Sequence, residues 1–255
     1  MRQRARLQKI LDHLEAAPDL TVDDACQLLD ASPATVRRDF ALLADTERAK
    51  KVWGGLSRTE SDASMKPLLF RQTHFVEEKK AIAREAVSLI REGDVVMIDG
   101  GTTTREMAAL LVGKRVRIIT NSLLIANQIY AAPNGWPATE LFVTGGLLYP
   151  DSGLLVGPEA KKNIAQYHAH WAFLSCAGID RQGVHNSNQL VVEIEQVMIR
   201  QCSKVVVLAD HSKLGVKSMC RTCDFQSIDI IITDKKAPPE FAKYAELSHT
   251  ELRMV

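Results

Sequence analysis

The sequence predicts an α/β protein made of an N-terminal winged helix-turn-helix and a C-terminal, Rossmann-like domain with a mainly parallel sheet. Three observations support this prediction. Apolar residues recur at helical spacing in the N-terminal part, strand-like and helix-like runs alternate from Pro67 onward, and the polar stretch 56–66 between them has no periodicity. We therefore predict a winged helix-turn-helix over residues 1–58, a linker over residues 59–66 and a second domain over residues 67–255.

The composition is that of a globular protein. Hydrophobic residues make up 46% of the 255 residues and charged residues 25%, and no apolar run is long enough for a membrane span. The N-terminal arginines are not followed by a signal-peptide core, so we expect a cytoplasmic protein without a membrane partner. The five cysteines are odd in number and irregularly spaced, which favours a reducing compartment. Cys220 and Cys223 form one Cys-x-x-Cys motif, whereas a structural zinc site needs four ligands and no second Cys or His pair is near. We therefore expect no metal and no cofactor.

The formal net charge of +1 conceals an uneven distribution. No Lys or Arg occurs between Lys9 and Arg37, whereas several Asp and Glu residues do. A domain with one acidic and one basic side can lay the basic side on a polyanion. The basic residues on either side of the acidic stretch are Arg2, Arg4, Arg6, Lys9, Arg37, Arg38, Arg48, Lys50, Lys51 and Arg58.

The N-terminal part predicts helices in close succession. The first ends near Pro18 and has its apolar face at Leu7, Ile10, Leu11 and Leu14. Thr21 and Asp24 resemble a capping box that starts the second helix. Ser32 caps the third helix and Pro33 occupies its first position. Because the turn between the second and third helices is so short, the pair predicts a helix-turn-helix.

The third predicted helix is suited to the major groove of DNA. Val36, Phe40 and Leu43 are spaced to face the core, which leaves the polar side chains pointing elsewhere. Residues 49–55 then predict a short strand and a glycine turn, the wing of a winged helix. The alternative is a protein-binding helical module with a solvated charged face. We expect DNA contacts from Ser32, Thr35, Arg37 and Arg38 in the helix and from Lys50, Lys51, Trp53 and Gly54 in the wing.

From Pro67 onward the alternation predicts a mainly parallel sheet covered by helices on both faces. Strands are predicted at 95–98, 116–120, 141–144, 171–175, 205–209 and 228–233. Helices are predicted at 77–91, from 102 onward, and at 122–130, 158–166, 189–201 and 238–246.

The stretch 95–104 is the central feature of this second domain. Four apolar residues predict a buried strand, Gly100 and Gly101 permit a tight turn, and three threonines open the next helix. Free backbone N–H groups, hydroxyls and a positive helix end would then meet at one place, which suits a phosphate or another small anion. The alternative is a strand–turn–helix joint in which the threonines only cap the helix.

Glycines and polar residues follow the other predicted strands as well. Because the carboxyl ends of parallel strands share one edge of a sheet, we expect a single pocket there for an anionic small molecule, with a phosphorylated sugar favoured. Lys213 would add a positive charge, and Asp99 would meet sugar hydroxyls or anchor the turn. The expected ligand-binding residues are Asp99, Gly100, Gly101, Thr102, Thr103, Thr104, Thr120, Asn121, Ser122, Gly145, Gly146, Asp180 and Lys213.

Both parts resemble the DeoR family of bacterial transcription regulators, across nearly the whole chain. In the N-terminal part the resemblance rests on Ser32-Pro-Ala-Thr-Val-Arg-Arg-Asp39 and Val52-Trp-Gly-Gly55. In the second part it rests on Asp99-Gly-Gly-Thr-Thr-Thr104, Thr120-Asn-Ser122, Gly145-Gly146, Leu155-Val-Gly-Pro158, Gly178-Ile-Asp180 and Leu208-Ala-Asp-His-Ser-Lys213. The resemblance implies a sensor domain similar in fold to ribose-5-phosphate isomerase and CoA-transferase-like domains, and a sugar phosphate effector that weakens operator binding.

The sequence departs from the family pattern at a few positions. Trp53 stands where the wing usually carries His, Glu47 where Gly is common, and Lys51 where Arg is common. The helix around residues 192–196 also lacks the usual Lys just before Met198. These departures bear on the operator sequence and on the identity of the effector, and they leave the predicted fold unchanged.

An enzyme is the competing class, namely a sugar-phosphate isomerase or transferase with an appended helix-turn-helix. Isomerisation needs a base near the carbon-bound proton, and the candidates are Asp180, His185, Glu193, Glu195 and His211. The sequence joins none of them into a constellation, so we assign no catalytic residue. We predict instead a DNA-binding transcriptional repressor of carbohydrate utilisation. Its expected partners are double-stranded operator DNA, a phosphorylated sugar, and a second copy in a homodimer or higher homo-oligomer.

Overall fold

The computed structural model describes residues 3–17, 19–46, 49–57, 68–133 and 138–255. The chain divides into two compact units, residues 1–61 and 62–255. The predicted linker, residues 59–66, lies outside the described ranges. So do several residues that the sequence analysis considered, namely Arg2, Pro18, Glu47, Arg48, Arg58 and Pro67.

The first unit contains the predicted helices and a small sheet. Its helices are α1 (Gln3–Ala16), α2 (Val22–Leu29) and α3 (Pro33–Asp45), and its strands are β1 (Asp19–Thr21), β2 (Lys50–Val52) and β3 (Gly55–Ser57). Strand β3 pairs antiparallel with both β1 and β2. The apolar faces of the helices and the sheet enclose one core, which includes Ile10, Leu14, Leu20, Val36, Phe40, Leu43 and Leu56. This is the predicted winged helix-turn-helix.

Leu56 opens the polar stretch 56–66 of the sequence, but in the structure it belongs to the sheet of the first unit. Leu56 is the middle residue of β3, pairs with Leu20 and Lys51 on the flanking strands, and is fully buried. The preceding Gly55 lies so close to β1 that a Cβ there would come within 2.4 Å of the Leu20 carbonyl oxygen. A single apolar residue in a polar stretch has no periodicity, and β1 was missed for the same reason.

A buried ion pair joins α1 to α3. Asp39 is fully buried, and its carboxylate accepts hydrogen bonds from Arg6 Nε at 2.6 Å and Arg6 Nη2 at 3.1 Å. Gln3 Nε2 donates a third, longer bond at 3.4 Å. Arg6 was counted among the basic residues of a polyanion-binding face, but its guanidinium serves this internal contact. The pair fixes the position of α3 relative to the rest of the unit.

The second unit is a three-layer α/β sandwich with added β-hairpins. Its helices are α4 (Leu68–Thr73), α5 (Val76–Ser88), α6 (Thr102–Leu111), α7 (Leu123–Tyr130), α8 (Pro158–Ile164), α9 (Gln189–Arg200) and α10 (Pro239–Leu247). Its strands are β4 (Val95–Ile98), β5 (Arg117–Thr120), β6 (Glu140–Val143), β7 (Leu147–Tyr149), β8 (Leu154–Val156), β9 (Ala169–Leu174), β10 (Gly178–Asp180), β11 (Gly183–Asn186), β12 (Cys202–Leu208), β13 (Cys220–Cys223), β14 (Ile230–Thr233) and β15 (Glu251–Met254).

The main sheet has seven strands in the order β15-β14-β12-β9-β4-β5-β6, and every neighbouring pair is parallel. The interior strands β4, β9, β12 and β14 are buried on both faces where they end, whereas the edge strands β6 and β15 are largely exposed. Val96 and Ile98 pack with α5, α6 and α7 on one face, whereas Met97 packs with α8, α9 and α10 on the other. Strand β4 lies in the interior of the sheet, so its end opens onto the middle of the carboxyl edge.

The predicted strands and helices of this unit are confirmed, with ends displaced by a few residues. Several elements were not predicted. They are the short helix α4, the hairpin of β7 and β8, the edge strand β15, and an antiparallel sheet in the order β10-β11-β13. These strands are three or four residues long, which is too short for a period of two to be recognised in the sequence.

Asp39→Asn should destabilise the first unit. The change removes the negative charge that Arg6 faces and leaves a half-satisfied polar contact in the interior, which is more damaging than removing both partners. We expect the thermal midpoint of the full chain to fall by several degrees in calorimetry or circular dichroism. Asp45→Asn, at the exposed end of α3, is the matched control and should leave the midpoint unchanged. Equal midpoints for the two variants would contradict a stabilising role for the Arg6–Asp39 pair.

Candidate functional site

The turn between α2 and α3 is fixed by caps at both ends. Thr21 Oγ1 accepts the backbone N–H of Asp24 at 3.1 Å, so Thr21 caps α2 as predicted, and it donates to the Asp24 carboxylate at 2.6 Å. Asp30 ends α2 in the left-handed region, with φ of 47°. Ser32 Oγ accepts from the Thr35 N–H at 3.4 Å and starts α3. The helix-turn-helix is therefore locally determined by its own sequence.

One face of α3 is free to meet a partner. Val36, Phe40 and Leu43 are buried as predicted, and Arg37 and Arg38 are exposed next to them. Ser32 is exposed and Thr35 is half-buried. The predicted DNA-reading side chains thus lie together at the N-terminal part of one helix, the part that a recognition helix presents to base edges.

The wing carries the remaining predicted DNA-binding residues. Lys50 and Lys51 on β2 are exposed. At the tip, Trp53 is 103% exposed, which is unusual for the largest apolar side chain. Gly54 has φ of 79°, a conformation that L side chains rarely adopt, and its carbonyl oxygen accepts the Val22 N–H at 3.0 Å. The tip is therefore tied to the start of α2 and holds the indole out into solvent.

In the second unit, Asp99 is the first residue after β4 and is fully buried at the carboxyl edge. Its Oδ2 accepts from the Ser175 hydroxyl at 2.8 Å and from the Ser175 backbone N–H at 3.3 Å. Its Oδ1 has no hydrogen-bond partner among the described residues. Burial raises the pKa of Asp99 from 3.8 to about 6, although the Ser175 hydrogen bonds act in the opposite direction.

Glu195, on α9, is a second buried carboxylate close to Asp99. Its oxygens accept from the Asn186 amide at 2.7 Å and from the Thr222 hydroxyl at 2.7 Å. Burial raises the pKa of Glu195 well above 4.5, and the neighbouring Asp99 charge raises it further. Two such neighbouring carboxyl groups do not both ionise readily, so the charge on either one disfavours the charge on the other.

Asn121 and Thr144 bring further unsatisfied polar atoms to the same edge. Asn121 is fully buried, and its amide lowers the pKa of Asp99 from nearby. Neither the Nδ2 nor the Oδ1 of Asn121 has a partner of hydrogen-bonding geometry in the described part of the chain. The Thr144 hydroxyl is also buried without a partner, and the Thr144 N–H bonds to the carbonyl of Thr120, the residue before Asn121. Buried polar groups normally have partners, so this cluster needs an explanation.

Other predicted site residues have structural roles that account for them. The Thr120 hydroxyl donates to the Ile98 carbonyl at 2.7 Å and accepts the Ser122 N–H, and Ser122 caps α7. Thr104 donates to the Gly101 carbonyl at 3.2 Å. Gly146 has φ of 124° at the turn into β7. For these positions the capping-and-turn alternative is sufficient, whereas Thr102, half-buried, and Thr103, buried, stand at the open first turn of α6.

The glycine pair after Asp99 is closely packed. A Cβ at Gly100 would come within 2.0 Å of Leu154 Cδ2 and 3.0 Å of Ser122 Cβ. A Cβ at Gly101 would come within 2.3 Å of Ser175 Cβ. Any side chain at Gly101 would therefore disturb the residue that holds Asp99. Gly145 is exposed beside Gly146.

Lys213 and Asp180 differ in their relation to Asp99. Lys213 lies in a short 3-10 turn, His211–Lys213, and is half-buried. The thiol of Cys176, which follows Ser175, is close enough to Lys213 and Glu195 for both charges to act on it. Asp180 instead bonds to His185 Nε2 at 2.8 Å and to the Gln182 N–H at 2.8 Å. The structure therefore brings Lys213 near the Asp99 cluster, and it gives Asp180 a role within the β10–β11 turn.

Three residues of this site were missed by the sequence analysis as ligand-binding candidates. They are Ser175, Thr144 and Glu195, the last considered only as a catalytic base. Ser175 directly follows β9, which neighbours β4, and Thr144 directly follows β6, which neighbours β5. Their position at the ends of predicted strands was the sequence signal that could have identified them. No group of three or more His, Cys, Asp or Glu side chains within the described ranges could hold a metal ion. None of the helices there is long and apolar enough to cross a membrane.

Comparison with known proteins finds two matching domain families along the chain. Residues 6–62 match the family described as DeoR-like helix-turn-helix domain, and residues 74–235 match the family described as DeoR C terminal sensor domain. The HTH-type transcriptional repressor GlcR of Bacillus subtilis (strain 168) is 30% identical over 252 residues, which cover 99% of this chain and 96% of GlcR. The HTH-type transcriptional regulator UlaR of Escherichia coli O127:H6 is 30% identical over 256 residues, covering 100% of both chains.

Two solved structures match parts of the chain with low TM-scores. Ribose 5-phosphate isomerase A from Methanocaldococcus jannaschii is 18% identical, with 53% of each chain covered and a TM-score of 0.38. The translation initiation factor eIF-2B of Pyrococcus horikoshii OT3 is 13% identical, with 84% of this chain and 72% of that chain covered and a TM-score of 0.41.

Asp99→Asn should change how stability depends on pH. The folded protein holds the Asp99 proton up to about pH 6, whereas an unfolded chain releases it near pH 3.8. The stabilisation that this proton provides is complete below about pH 4 and is lost as the pH rises through about 6. Relative to wild type, the Asn variant should therefore gain stability between these values, by about 3 kcal/mol at 1.36 kcal/mol per pKa unit.

The measurement is urea unfolding of both proteins across that pH range. Asp151→Asn, at an exposed position, is the control and should follow wild type. Parallel pH curves for wild type and Asp99→Asn would show that the Asp99 carboxyl group is not perturbed by burial.

Proposed function

The chain belongs to the DeoR family of helix-turn-helix transcriptional regulators, and we propose that it represses a carbohydrate-utilisation operon until a phosphorylated sugar, or a related metabolite, weakens its operator binding. The name of the Bacillus subtilis relative, a repressor, supports this sign of regulation. A protein with this role acts where the chromosome is, in the cytoplasm. We also propose that residues 59–66 link a DNA-binding part, residues 1–58, to a sensing part, residues 67–255.

We propose that α3 enters the major groove of the operator. Arg37 and Arg38 are exposed beside the buried Val36 and Phe40, and a planar guanidinium can bind guanine through two hydrogen bonds. Ser32 and Thr35 stand at the start of the same helix and suit contacts to phosphate or bases. A two-fold protein matches a palindromic operator, so we propose a homodimer or a higher homo-oligomer.

The wing residues suit a different part of the DNA. Lys50 and Lys51 are exposed charges that would contact phosphates and hold the protein without reading sequence. The exposed Trp53 at the tip offers an apolar surface and one N–H donor, and the backbone N–H and missing side chain of Gly54 permit close approach to the DNA backbone.

The observation that carries the effector proposal is the set of buried polar atoms without partners at the carboxyl edge. Asp99 Oδ1 can only accept a hydrogen bond, whereas Asn121 offers both an acceptor and two donors. Sugar hydroxyls both donate and accept, so a polyol bound here would satisfy both residues at once. An apolar ligand would leave these atoms unpaired, which costs about 1–3 kcal/mol for each buried group.

The phosphate of such an effector would lie at the start of α6, away from Asp99. The first N–H groups of a helix have no partner within the helix, and Gly101 precedes them without a side chain. Thr102 and Thr103 add hydroxyls at this turn, and Lys213 would add a positive charge. The carboxylate of Asp99 would repel a phosphate, so it is better suited to the sugar end of the ligand.

An isomerase or transferase activity is the second candidate function, and one observation favours it. The Asp99–Glu195 pair is buried, and its raised pKa values are typical of groups that transfer protons near neutral pH. The other candidate bases have internal partners: His185 bonds to Asp180, and His211 bonds to Asp234. Assaying turnover of glucose 6-phosphate and ribose 5-phosphate by the purified protein distinguishes the two functions, and we expect none.

Arg37→Ala and Arg38→Ala should each weaken operator binding by about 1–3 kcal/mol and relax its sequence specificity, because they remove contacts to bases. Lys51→Ala should weaken binding to all sequences alike and reduce the salt slope by about one, because it removes a phosphate contact. The measurement is fluorescence anisotropy with DNA from upstream of the protein's own gene, at several salt concentrations. Arg91→Ala, an exposed arginine of the second unit, is the control. Wild-type affinity in all three variants would remove α3 and the wing from the DNA interface.

Asn121→Ala separates a binding role from a structural one. Because the amide has no partner of full hydrogen-bonding geometry among the described residues and only favours the Asp99 charge from nearby, its removal should change the thermal midpoint little. Effector affinity should fall about tenfold or more, since hydrogen bonds to the ligand are lost. The midpoint is measured with and without glucose 6-phosphate or ribose 5-phosphate, because a ligand that binds the folded state raises it.

Thr120→Val, the neighbouring control, should behave in the opposite way. Its hydroxyl holds the Ile98 carbonyl and the Ser122 N–H, so its loss should lower the midpoint of the empty protein. Lys213→Ala should fold and bind operator but respond less to the sugar phosphate. If Asn121→Ala and Lys213→Ala both release the operator at wild-type effector concentrations, this edge of the sheet is not the sensing site.

A further inference from the structure

A buried lysine connects the helix α4 to the rest of the sensing unit. Lys79, on α5, is 4% exposed, and its Nζ donates to the carbonyl oxygens of Arg71 and, at 2.7 Å, of His74. These carbonyls lie at the end of α4 and just beyond it, where a helix leaves carbonyls without internal partners. Lysine is almost never buried without such contacts. The ammonium therefore holds the corner between α4 and α5, residues 71–75, in place.

Two of the charges that act on Lys79 belong to the turn that bears Lys213. Asp210 attracts the ammonium and Lys213 repels it, while Arg71 also repels it and Glu106 attracts it. Burial, the largest effect, lowers the pKa of Lys79 to about 8. The strength with which Lys79 holds its two carbonyls thus depends on the charge at Lys213.

A direct packing contact joins the same corner to the same turn. The Phe75 ring meets the His211 ring edge-on, with centroids 4.7 Å apart. Asp234 holds His211 by accepting hydrogen bonds from its backbone N–H at 2.7 Å and from its Nδ1 at 3.0 Å. The 71–75 corner therefore packs against the turn His211–Lys213. Asp234, the residue after β14, holds this turn in place at His211.

We propose that Lys79 is a positioning residue that transmits effector binding at Lys213 to the 71–75 corner and so to α4. This inference rests on the proposed effector site. A phosphate at Lys213 would cancel the positive charge that repels the Lys79 ammonium, and would strengthen the hydrogen bonds to Arg71 and His74. Leu68, where α4 begins, is the first described residue after Ser57 of the wing strand. A change in how firmly α4 is held therefore acts at the covalent connection to the DNA-binding unit.

The test is a coupling cycle on the full chain with Lys79→Met, which keeps the length of the side chain and removes the ammonium. The quantity measured is the ratio of operator dissociation constants with and without a sugar phosphate, using whichever of glucose 6-phosphate and ribose 5-phosphate releases wild type. Wild type should show a ratio of about tenfold, within the usual range of allosteric coupling. Lys79→Met should bind operator and sugar phosphate within about threefold of wild type, but its ratio should fall below about twofold. Inorganic phosphate is titrated in parallel to show whether the anion alone suffices.

Lys80→Met is the matched control. Lys80 is the next residue and pairs with Glu77 at 2.9 Å on the exposed side of α5. The ratio of operator dissociation constants for Lys80→Met should therefore equal that of wild type. A wild-type ratio in Lys79→Met contradicts the inference while leaving the effector site intact. The absence of release of wild type by either sugar phosphate contradicts the proposed function, and the inference with it.

Phe75→Leu serves as a second variant, should Lys79→Met fail to fold. It removes the ring that contacts His211 and leaves the Lys79 hydrogen bonds to the corner in place. Its thermal midpoint and both separate affinities should stay near wild type, while the ratio falls by at least half. If Phe75→Leu retains the full ratio, the 71–75 corner does not transmit the effector signal.

Discussion

The parallel register of the seven-stranded sheet is the constraint on which the sensing unit depends. Because every neighbouring pair is parallel, β4, β5, β6 and β9 end at one edge. The residues that follow them, far apart in sequence, are thereby brought together: Asp99, Asn121, Thr144 and Ser175. An antiparallel sheet would have divided them between two edges. The site is therefore a consequence of topology first and of side-chain chemistry second.

The polar residues at this edge are of two kinds: those whose side chains are hydrogen-bonded within the protein, and those whose side chains are not. Thr120 and Ser122 use their hydroxyls to join strand to helix, whereas neither polar side-chain atom of their neighbour Asn121 has a hydrogen-bond partner among the described residues. All three belong to one short motif, so the motif alone could not separate them. A sequence pattern can identify a segment as a candidate site. The hydrogen bonds within the protein then show which residue of the segment has side-chain atoms that a ligand could bind.

The sequence was sufficient for the elements with strong periodicity and for the site residues that end predicted strands. The faces of α3 followed from Val36, Phe40 and Leu43, and the edge position of Asp99 followed from the apolar run before it. It was insufficient where a contact depends on the tertiary fold. Arg6 looks in sequence like any surface arginine, and only the packing of α1 on α3 shows that it pairs with Asp39. Likewise nothing local to Lys79 indicates burial, because its helix neighbours Glu78 and Lys80 are charged.

The buried polar groups of the proposed effector site reduce the stability of the folded protein, and the same groups would make the site selective. Asp99 and Glu195 are carboxyl groups removed from water, and the amide of Asn121 is buried with no hydrogen-bond partner in the part of the chain that the structure describes. Each such group reduces stability by an amount comparable with a hydrogen bond. A ligand that supplies the missing partners recovers this free energy, and one that lacks them does not, which is how polar sites reject analogues far more strongly than apolar pockets do. Because a regulator must respond to one metabolite among many, an edge of the sheet that is destabilised when empty suits sensing better than a fully satisfied one.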